Sequence, residues 1–321
     1  MRSSGFKKRI GVARGGPSPE YEVSLKTGKR VLSLEIPGYE WRDLFIDKHG
    51  VWYLNGVAKK PSSVLNNIDG VFNALHGTYG EDGGIQEMLD IFGIPYTGSG
   101  RVASALAMRK DLSLNSCTKE GIQIPMTLLV REGNTRDDIL LFSKKVSFPL
   151  VVKPVSSGSS VGVSLVSSEE ELEAAVEYAF RYGPAVLIQE YIKGREATCG
   201  VIENFRGEEI YSLFPVEIVP HFSNFFDYDE KYGGKTLEYC PGNFSKEEKK
   251  ELQKNAALIH RSLGLRHYSR SDFVVNPERG VFMLEVNTLP GLTDTSLFLL
   301  ELEASGISFE EFVSHILDGI F

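Results

Sequence analysis

Residues 269–287 read SRSDFVVNPERGVFMLEVN, in which two apolar runs flank the turn-forming segment NPERG. Runs rich in Val and Phe around an Asn, Pro and Gly cluster predict a β-hairpin with arms at residues 269–275 and 281–287. Every second residue of a strand lies on the same face. The hairpin therefore presents one mainly apolar face and one polar face, and the polar face is where chemistry is expected.

The polar face of this hairpin carries charged and amide side chains on both arms. Alternation puts Arg270 and Asp272 together on the first arm, and Glu285 and Asn287 together on the second. Where these faces coincide, Asp272, Glu285 and Asn287 form an all-oxygen cluster beside Arg270, and such ligands suit Mg²⁺. A solvated polar face with one salt bridge is the alternative that alternation alone leaves open.

The first hundred residues alternate between apolar strands and amphipathic helices. This alternation predicts a parallel α/β layer. The predicted strands lie at residues 9–13, 41–46 and 70–75, and the predicted helices at 23–34 and 83–92. One further helical pattern covers residues 99–120.

Two glycine-rich loops follow predicted strands. Lys153-Pro154 ends one strand and leads into SSGSSVG at residues 156–162, where small residues let backbone N–H groups approach a phosphate. Taken alone, this segment fits an ordinary flexible surface loop better than a phosphate-binding loop. The segment HGTYGEDGG at residues 76–84 lies where a strand of an α/β layer ends, which is where ligands bind. Alternatively, the four glycines of this segment serve only a tight turn, and His76 has a structural role.

Composition excludes several classes of protein. The chain has 321 residues, a formal charge of −8, 42% hydrophobic residues and three dispersed cysteines. These values disfavour a nucleic-acid groove, a disulfide scaffold and a disordered chain. No signal-type or membrane-length apolar run is apparent, so the sequence predicts a cytoplasmic protein without a membrane or nucleic-acid partner.

The motifs together resemble the D-alanine–D-alanine ligases of the ATP-grasp superfamily over essentially the full length. They lie at residues 20–25, 76–83, 96–100, 153–154, 158–162, 193–196, 231–232 and 284–291. The resemblance implies a mixed α/β and α+β chain, with an amino-terminal parallel α/β domain followed by a two-lobed ATP-grasp fold. The implied divisions are a substrate domain at 1–100, a central lid at 101–190 and a metal-bearing catalytic domain at 191–321.

The implied activity is ATP-dependent joining of two D-alanines through an acyl phosphate, for peptidoglycan precursors. By similarity, Asp272, Glu285 and Asn287 hold two Mg²⁺ ions, with Mn²⁺ as an alternative, around the phosphates of ATP. The resemblance assigns further residues to ATP, namely Lys110, Lys153, Ser159, Ser160, Gln189, Glu190, Tyr191, Ile192 and Glu196.

The same resemblance assigns the amino-acid site. Glu22 would bind the ammonium of the first D-alanine near His76, and Ser296 the carboxylate of the second. Arg270 and the N–H of Gly291 would stabilise the tetrahedral oxyanion. Glu22, Ser159 and Tyr232 would form a hydrogen-bonded set, with Lys231 beside Tyr232 at the substrate, and the tyrosine favours an amide product over an ester. A homodimer is also implied.

Two alternatives remain at this stage. One is another ATP-grasp ligase that joins different amino or hydroxy acids, including the D-alanine–D-lactate type. The other is a catalytically silent ATP-binding homologue. The chain departs from the family pattern near the proposed ligands, at Arg109, Gln189, His267 and Ser271 among others.

Overall fold

A computed structural model of the chain describes residues 6–131, 133–134, 136–156, 158, 161–219 and 237–321. Within these ranges the strands form three separate sheets, which we name the amino-terminal, central and carboxy-terminal sheets in chain order. Helices pack against each sheet and bury its apolar side chains. The fold is therefore mixed α/β, as the sequence predicts.

The amino-terminal sheet contains three parallel strands, β1 (Lys8–Gly15), β2 (Tyr39–Ile46) and β5 (Gly70–Asn73). Strand β1 runs parallel to β2 and to β5, so the predicted parallel layer is confirmed. The other strands of the sheet are β3 (Trp52–Leu54) and β4 (Val57–Ala58). The order in the sheet is β4-β3-β2-β1-β5. The helices of this region are α1 (Tyr21–Leu32), α2 (Pro61–Leu65) and α3 (Gly84–Ile91).

The helical pattern at residues 99–120 forms two helices rather than the continuous one that the sequence predicts. Helix α4 (Arg101–Met108) ends where Arg109 takes an extended conformation, with ψ near 92°, and α5 (Lys110–Thr118) begins at the next residue. The N–H of Lys110 donates to the carbonyl of Val155 at 3.2 Å. This bond is not part of the hydrogen-bond pattern of either helix. It joins the start of α5 to Val155, in a distant part of the chain.

The central sheet is antiparallel, with the order β6-β9-β7-β8. One face packs against helices through apolar residues such as Val152, Ile188 and Leu172. Lys153, the neighbour of Val152, lies on the opposite face. The strands are β6 (Thr127–Arg131), β7 (Leu150–Pro154), β8 (Ser164–Val166) and β9 (Ala185–Glu190), and the helices are α6 (Arg136–Val146) and α7 (Glu169–Phe180).

The carboxy-terminal sheet contains the predicted hairpin. Its order is β13-β12-β10-β14-β15, with β11 also pairing with β10. The strands are β10 (Arg195–Phe205), β11 (Glu208–Ser212), β12 (Val216–Val219), β13 (Leu237–Tyr239), β14 (Tyr268–Asn276) and β15 (Gly280–Asn287). The helices are α8 (Lys246–Ser262), α9 (Leu297–Ala304) and α10 (Phe309–Asp318). Helices α4 and α5 pack against β15.

The register of β14 and β15 confirms the expected polar face. Arg270 lies opposite Asn287, and Asp272 lies opposite Glu285, with a β-bulge between Asp272 and Phe273. Opposed residues of an antiparallel pair have side chains on the same face, so the four polar groups lie together. Within the ranges given above, no helix is long and apolar enough to cross a bilayer.

Candidate active site

Two adjoining cavities open on the polar face of β14 and β15. The larger, about 830 Å³, lies between the central and carboxy-terminal sheets. The smaller, about 210 Å³, lies between the amino-terminal layer and the segment that follows β15. Both have Lys110, Arg270 and Glu285 in their walls. A ligand in one cavity can therefore meet a ligand in the other at these three side chains.

The larger cavity gathers most of the residues that the sequence assigns to ATP. They come from β7, the end of β9, the start of β10 and the short α4–α5 break. The lining includes Lys110, Lys153, Gln189, Glu190, Tyr191, Ile192 and Glu196. Ser159 and Ser160 lie outside the described residues. The larger cavity thus has several cationic side chains in its lining, Lys110 and Lys153 among them, together with the end of β9, a combination that suits a nucleotide.

Two of the three lysines that line the larger cavity, Lys110 and Lys153, are buried, whereas Lys193 is exposed. The ammonium of Lys110 lies 3.3 Å from the Oε2 of Glu285. Burial lowers the pKa of Lys153 to about 8, Glu285 opposes that shift, and the nearby charge of Lys110 adds to it. Two cations held this close in a buried place favour an anionic ligand between them, because a phosphate relieves their mutual repulsion.

Asp272 is the centre of the hydrogen bonds on the polar face. Its two oxygens accept from Nε and Nη2 of Arg270 at 3.0 and 3.1 Å, in a bidentate pair. The hydroxyl of Thr198 donates at 2.6 Å, and the amide of Asn287 at 3.1 Å. Burial of the Arg270 guanidinium opposes its charge, but Asp272 and then Glu301 and Glu285 outweigh it, so the pKa of Arg270 is raised.

The donor set on this face fits Mg²⁺. Asp272 and Glu285 supply carboxylates on adjacent strands, and Asn287 supplies an amide oxygen, since its nitrogen is the atom that donates to Asp272. These are hard oxygen ligands of the kind that Mg²⁺ binds together with phosphates. Over the described ranges no cluster of three or more His, Cys, Asp or Glu side chains is suited to a metal. The magnesium site therefore stays a prediction that the donor chemistry supports.

Of the described residues expected to contact the amino acids, all but one line the smaller cavity. His76, Gly291 and Ser296 line it together with Arg270. Nδ1 of His76 lies 2.9 Å from the carbonyl of Leu289 and Nε2 lies 3.0 Å from the hydroxyl of Thr27. The carbonyl can only accept, so the proton is on Nδ1, and burial lowers the pKa of His76. A neutral His76 shapes the cavity wall rather than supplying charge.

The exception is Glu22, which the structure does not place in the cavity. Glu22 is the second residue of α1 and is exposed, whereas Glu20, just before the helix, lines the smaller cavity. A residue advances about 100° around the axis per position, so Glu22 turns away while Val23 faces the cavity. The placement of Glu22 was wrong because the pattern EYE offers two acidic residues and does not show where the helix begins.

The carboxylate of Glu20 lies close to two glycine-containing loops. A Cβ at Gly77, which has φ +68°, would be only 2.6 Å from the Oε2 of Glu20. The corresponding distance at Gly158 is 3.2 Å. Glycine at these positions therefore permits the approach of the carboxylate. Gly158 belongs to the segment SSGSSVG at residues 156–162, which we call the serine-rich loop, so Glu20 lies beside Gly158 of this loop.

Glu81 is a buried member of the smaller cavity that the sequence analysis did not single out. It accepts from the N–H of Gly77 at 2.9 Å, the N–H of Leu289 at 2.9 Å and the hydroxyl of Thr288 at 3.2 Å. Burial and then the charge of Glu20 raise the pKa of Glu81 to about 7. These bonds tie the 76–84 loop to the segment after β15, and both parts of the chain line the cavity.

Glu301 is a second buried carboxyl that the sequence analysis did not single out. It belongs to α9, is fully buried, and accepts from the N–H of Gly200 at 2.9 Å through Oε1. Burial raises the pKa of Glu301 to about 8, although Arg270 opposes the shift. The signal available in sequence was weak: Glu301 follows the apolar run LFLL at residues 297–300, but Glu303 lies two positions further on in the same helix.

This burial predicts a pH-dependent stability. The pKa of Glu301 rises from 4.5 to about 8 on folding, so its protonation favours the folded state, fully below about pH 4.5. That contribution is lost as the pH rises through about 8. Because the unfolded chain loses this proton near pH 4.5 and the folded chain near pH 8, we expect the melting temperature of the wild type, relative to Glu301→Gln, to fall between about pH 4.5 and 8 and to level off above that. Thermal unfolding across this range tests it, and parallel curves would contradict it. Glu303→Gln, on the exposed face of the same helix, is the control.

The four positions named above at which the chain departs from the family pattern have different surroundings in the structure. The guanidinium of Arg109 forms a bidentate pair with Asp111, and Gln189 donates to the hydroxyl of Thr127. Ring nitrogen Nδ1 of His267 lies 3.0 Å from the amide nitrogen of Gly98, whereas the hydroxyl of buried Ser271 has no hydrogen-bond partner in the part of the chain that the structure describes. Lys231 and Tyr232 lie outside the described residues.

Comparison with known proteins places these features in a family context. The family model described as "D-ala D-ala ligase C-terminus" matches residues 118–318, and "D-ala D-ala ligase N-terminus" matches residues 55–99. A D-alanine–D-alanine ligase of Geobacter sulfurreducens is 41% identical over 312 residues, covering 96% of this chain and 93% of that protein.

Solved structures agree with this similarity along the whole chain. The VanG D-Ala:D-Ser ligase of Enterococcus faecalis superposes with a TM-score of 0.86 at 30% identity, covering 98% of this chain and 100% of the other. The D-alanine–D-alanine ligase of Bacillus anthracis gives a TM-score of 0.80 at 33% identity, covering 97% and 96%. The same Bacillus enzyme complexed with ATP gives a TM-score of 0.78.

Proposed function

Because the chain belongs to the D-alanine–D-alanine ligase family, we propose that its larger cavity holds ATP and its smaller cavity holds D-alanine. The chain is an ATP-dependent ligase with an ATP-grasp fold that joins two D-alanines. One observation carries the assignment of the two cavities, namely that Lys110, Arg270 and Glu285 line both of them. A phosphoryl group of ATP and a carboxylate of D-alanine can therefore meet there.

The proposed reaction starts with phosphoryl transfer. The carboxylate of the first D-alanine attacks the γ-phosphorus of ATP, the bond to ADP breaks, and an acyl phosphate forms. Lys110 and Lys153 bind phosphate oxygens and reduce their negative charge, which is the main contribution a protein makes to such a transfer. Asp272, Glu285 and Asn287 would hold Mg²⁺, which when bound supplies further charge neutralisation at the phosphates.

The second half of the reaction forms the peptide bond. The amine of the second D-alanine attacks the acyl carbon, a tetrahedral oxyanion forms, and phosphate leaves as the carbonyl is restored. Arg270 and the N–H of Gly291 both face the smaller cavity and would donate to that oxyanion. The hydroxyl of Ser296, which precedes α9, would bind the carboxylate of the second D-alanine.

Glu20 takes the role that the sequence analysis gave to Glu22. Its carboxylate lies in the smaller cavity and beside Gly158, so it can bind the ammonium of the first D-alanine and contact the serine-rich loop. Ser159, Ser160, Lys231 and Tyr232 keep the roles that the family resemblance implies. The homodimer likewise stays a prediction. We propose the same three domains, with α4 and α5 moved to the carboxy-terminal one because they pack against β15.

Product analysis tests the function. We expect ADP release to require D-alanine, ATP and Mg²⁺ together, and the product to be D-alanyl-D-alanine. A panel of D-serine, D-lactate and L-amino acids as second substrate measures the specificity. ADP release that is independent of D-alanine, or a different dipeptide as the main product, would contradict the proposal.

A paired substitution tests the revised ammonium site. Glu20→Gln should raise the KM for the first D-alanine by about 10- to 100-fold, because a charge-assisted hydrogen bond to the ammonium is lost. Glu22→Gln should leave the KM unchanged, since that side chain is exposed on α1. Initial rates against D-alanine at saturating ATP give both values. The assignment fails if the Glu22 variant is the impaired one.

A further inference from the structure

The carboxyl group of Glu301 occupies the place beside Arg270 that a side chain at position 200 would fill. Gly200 of β10 is the direct partner of Arg270 of β14, so a side chain at 200 would share the face of the sheet that carries Arg270. A Cβ built at Gly200 would lie 2.5 Å from the Oε2 of Glu301. Glu301 therefore reaches from α9 onto the sheet at this point.

The polar face consequently consists of two rows across three strands. In the first row, Thr198 donates to Asp272, and Asp272 lies opposite Glu285. In the second row, Arg270 lies between Asn287 on β15 and the position of Gly200 on β10. The missing side chain of Gly200 would leave a gap in this second row. The carboxyl of Glu301 fills it together with the side chains of Phe298 and Leu213, which would lie 2.7 and 2.9 Å from a Cβ at position 200.

The hydrogen bonds of Arg270 show why a filled gap matters. Asp272 holds Nε and Nη2, which fixes one edge of the guanidinium. Arg270 also lines both cavities, where the oxyanion of the proposed reaction forms. A guanidinium held along a single edge can still tilt about that edge. On the β10 side, the residue opposite Arg270 is Gly200, and the space over it is taken by the fully buried carboxyl of Glu301 and its neighbours.

We propose that Glu301 is a positioning residue for Arg270, keeping the guanidinium aimed at the oxyanion by filling the space over Gly200 and accepting the N–H of that residue. This inference rests on the function proposed above, in which Arg270 donates to the oxyanion. The groups whose charges interact with Glu301 are Arg270, Asp272, Cys199 and Cys240. The carboxyl is protonated near neutral pH, so its volume and its acceptor matter more than its charge.

Three substitutions separate this role from a purely structural one. Glu301→Ala should lower kcat on the order of tenfold, since it opens space beside Arg270 and leaves the N–H of Gly200 without its acceptor. The KM for ATP should stay within about twofold. Glu301→Gln keeps the volume and the acceptor oxygen and should restore kcat to within about threefold of the wild type. Glu303→Ala, exposed on the same helix, should match the wild type.

Steady-state rates at about pH 7, with the melting temperature of each variant recorded, give the result. Where Glu301→Ala does not fold, Glu301→Met fills the volume without an acceptor, and its kcat should still fall. An unchanged kcat, a parallel loss of ATP affinity, or a Gln variant as slow as Ala would overturn the inference. A wild type that forms no dipeptide would instead overturn the proposed function, so the two failures are distinguishable.

Discussion

Arg270→Lys should lower kcat on the order of 10²- to 10³-fold while ATP still binds. The guanidinium uses Nε and Nη2 for its bidentate pair with Asp272, which leaves Nη1 outside that pair. Arg270 also lines the smaller cavity. Lysine retains the charge but has no planar fork, so it cannot hold Asp272 and the oxyanion in the same geometry. The loss is therefore expected in the chemical step rather than in nucleotide binding.

D-alanine-dependent ADP release and ATP binding, measured side by side, test this prediction. Arg261→Lys serves as the control, because Arg261 is exposed and pairs with Glu209 at the surface. A variant with reduced ATP affinity and normal kcat would show that Arg270 acts on the nucleotide instead. A fully active variant would remove Arg270 from the oxyanion role.

Glu285→Gln should lower activity by about 10²-fold or more, and added Mg²⁺ should recover part of it. Glu285 pairs with Lys110 at 3.3 Å and lies opposite Asp272, so it stands between the lysine and the predicted metal ligands. An amide loses the negative charge that attracts the cation. The apparent Mg²⁺ requirement should therefore rise.

Titration of Mg²⁺ at fixed ATP and D-alanine gives that requirement directly. Glu278→Gln is a matched control, since Glu278 lies exposed in the turn of the same hairpin. A Glu285 variant with the wild-type Mg²⁺ dependence would exclude Glu285 as a ligand.

The hairpin could be predicted because the side chains of a β-strand alternate between its two faces. Once the arms at residues 269–275 and 281–287 are paired, the positions of Arg270, Asp272, Glu285 and Asn287 on one face follow. Pairing across two adjacent strands needs no knowledge of distant contacts. Alternation could not say which ligand the face binds, and that part came from the order of the motifs along the whole chain.

The positions that sequence reasoning missed depend on where helices begin and on contacts between distant segments. Glu20 and Glu22 look equivalent in the sequence, and only the start of α1 at Tyr21 separates them. The break at Arg109 needs the carbonyl of Val155 as an acceptor. Glu301 meets Gly200 across 101 residues of chain. None of these contacts leaves a local pattern.

The shared wall of the two cavities has a consequence for inhibition. A molecule that joins a nucleoside part to a D-amino-acid part through a tetrahedral centre at Lys110 and Arg270 would occupy both cavities at once. Binding of one part raises the effective concentration of the other, to the millimolar range for a short linker, so affinity can gain roughly 10²- to 10⁴-fold without new contacts. A substitution of Arg270 or Lys110 that weakened the binding of such a bivalent ligand would also impair the enzyme's own reaction.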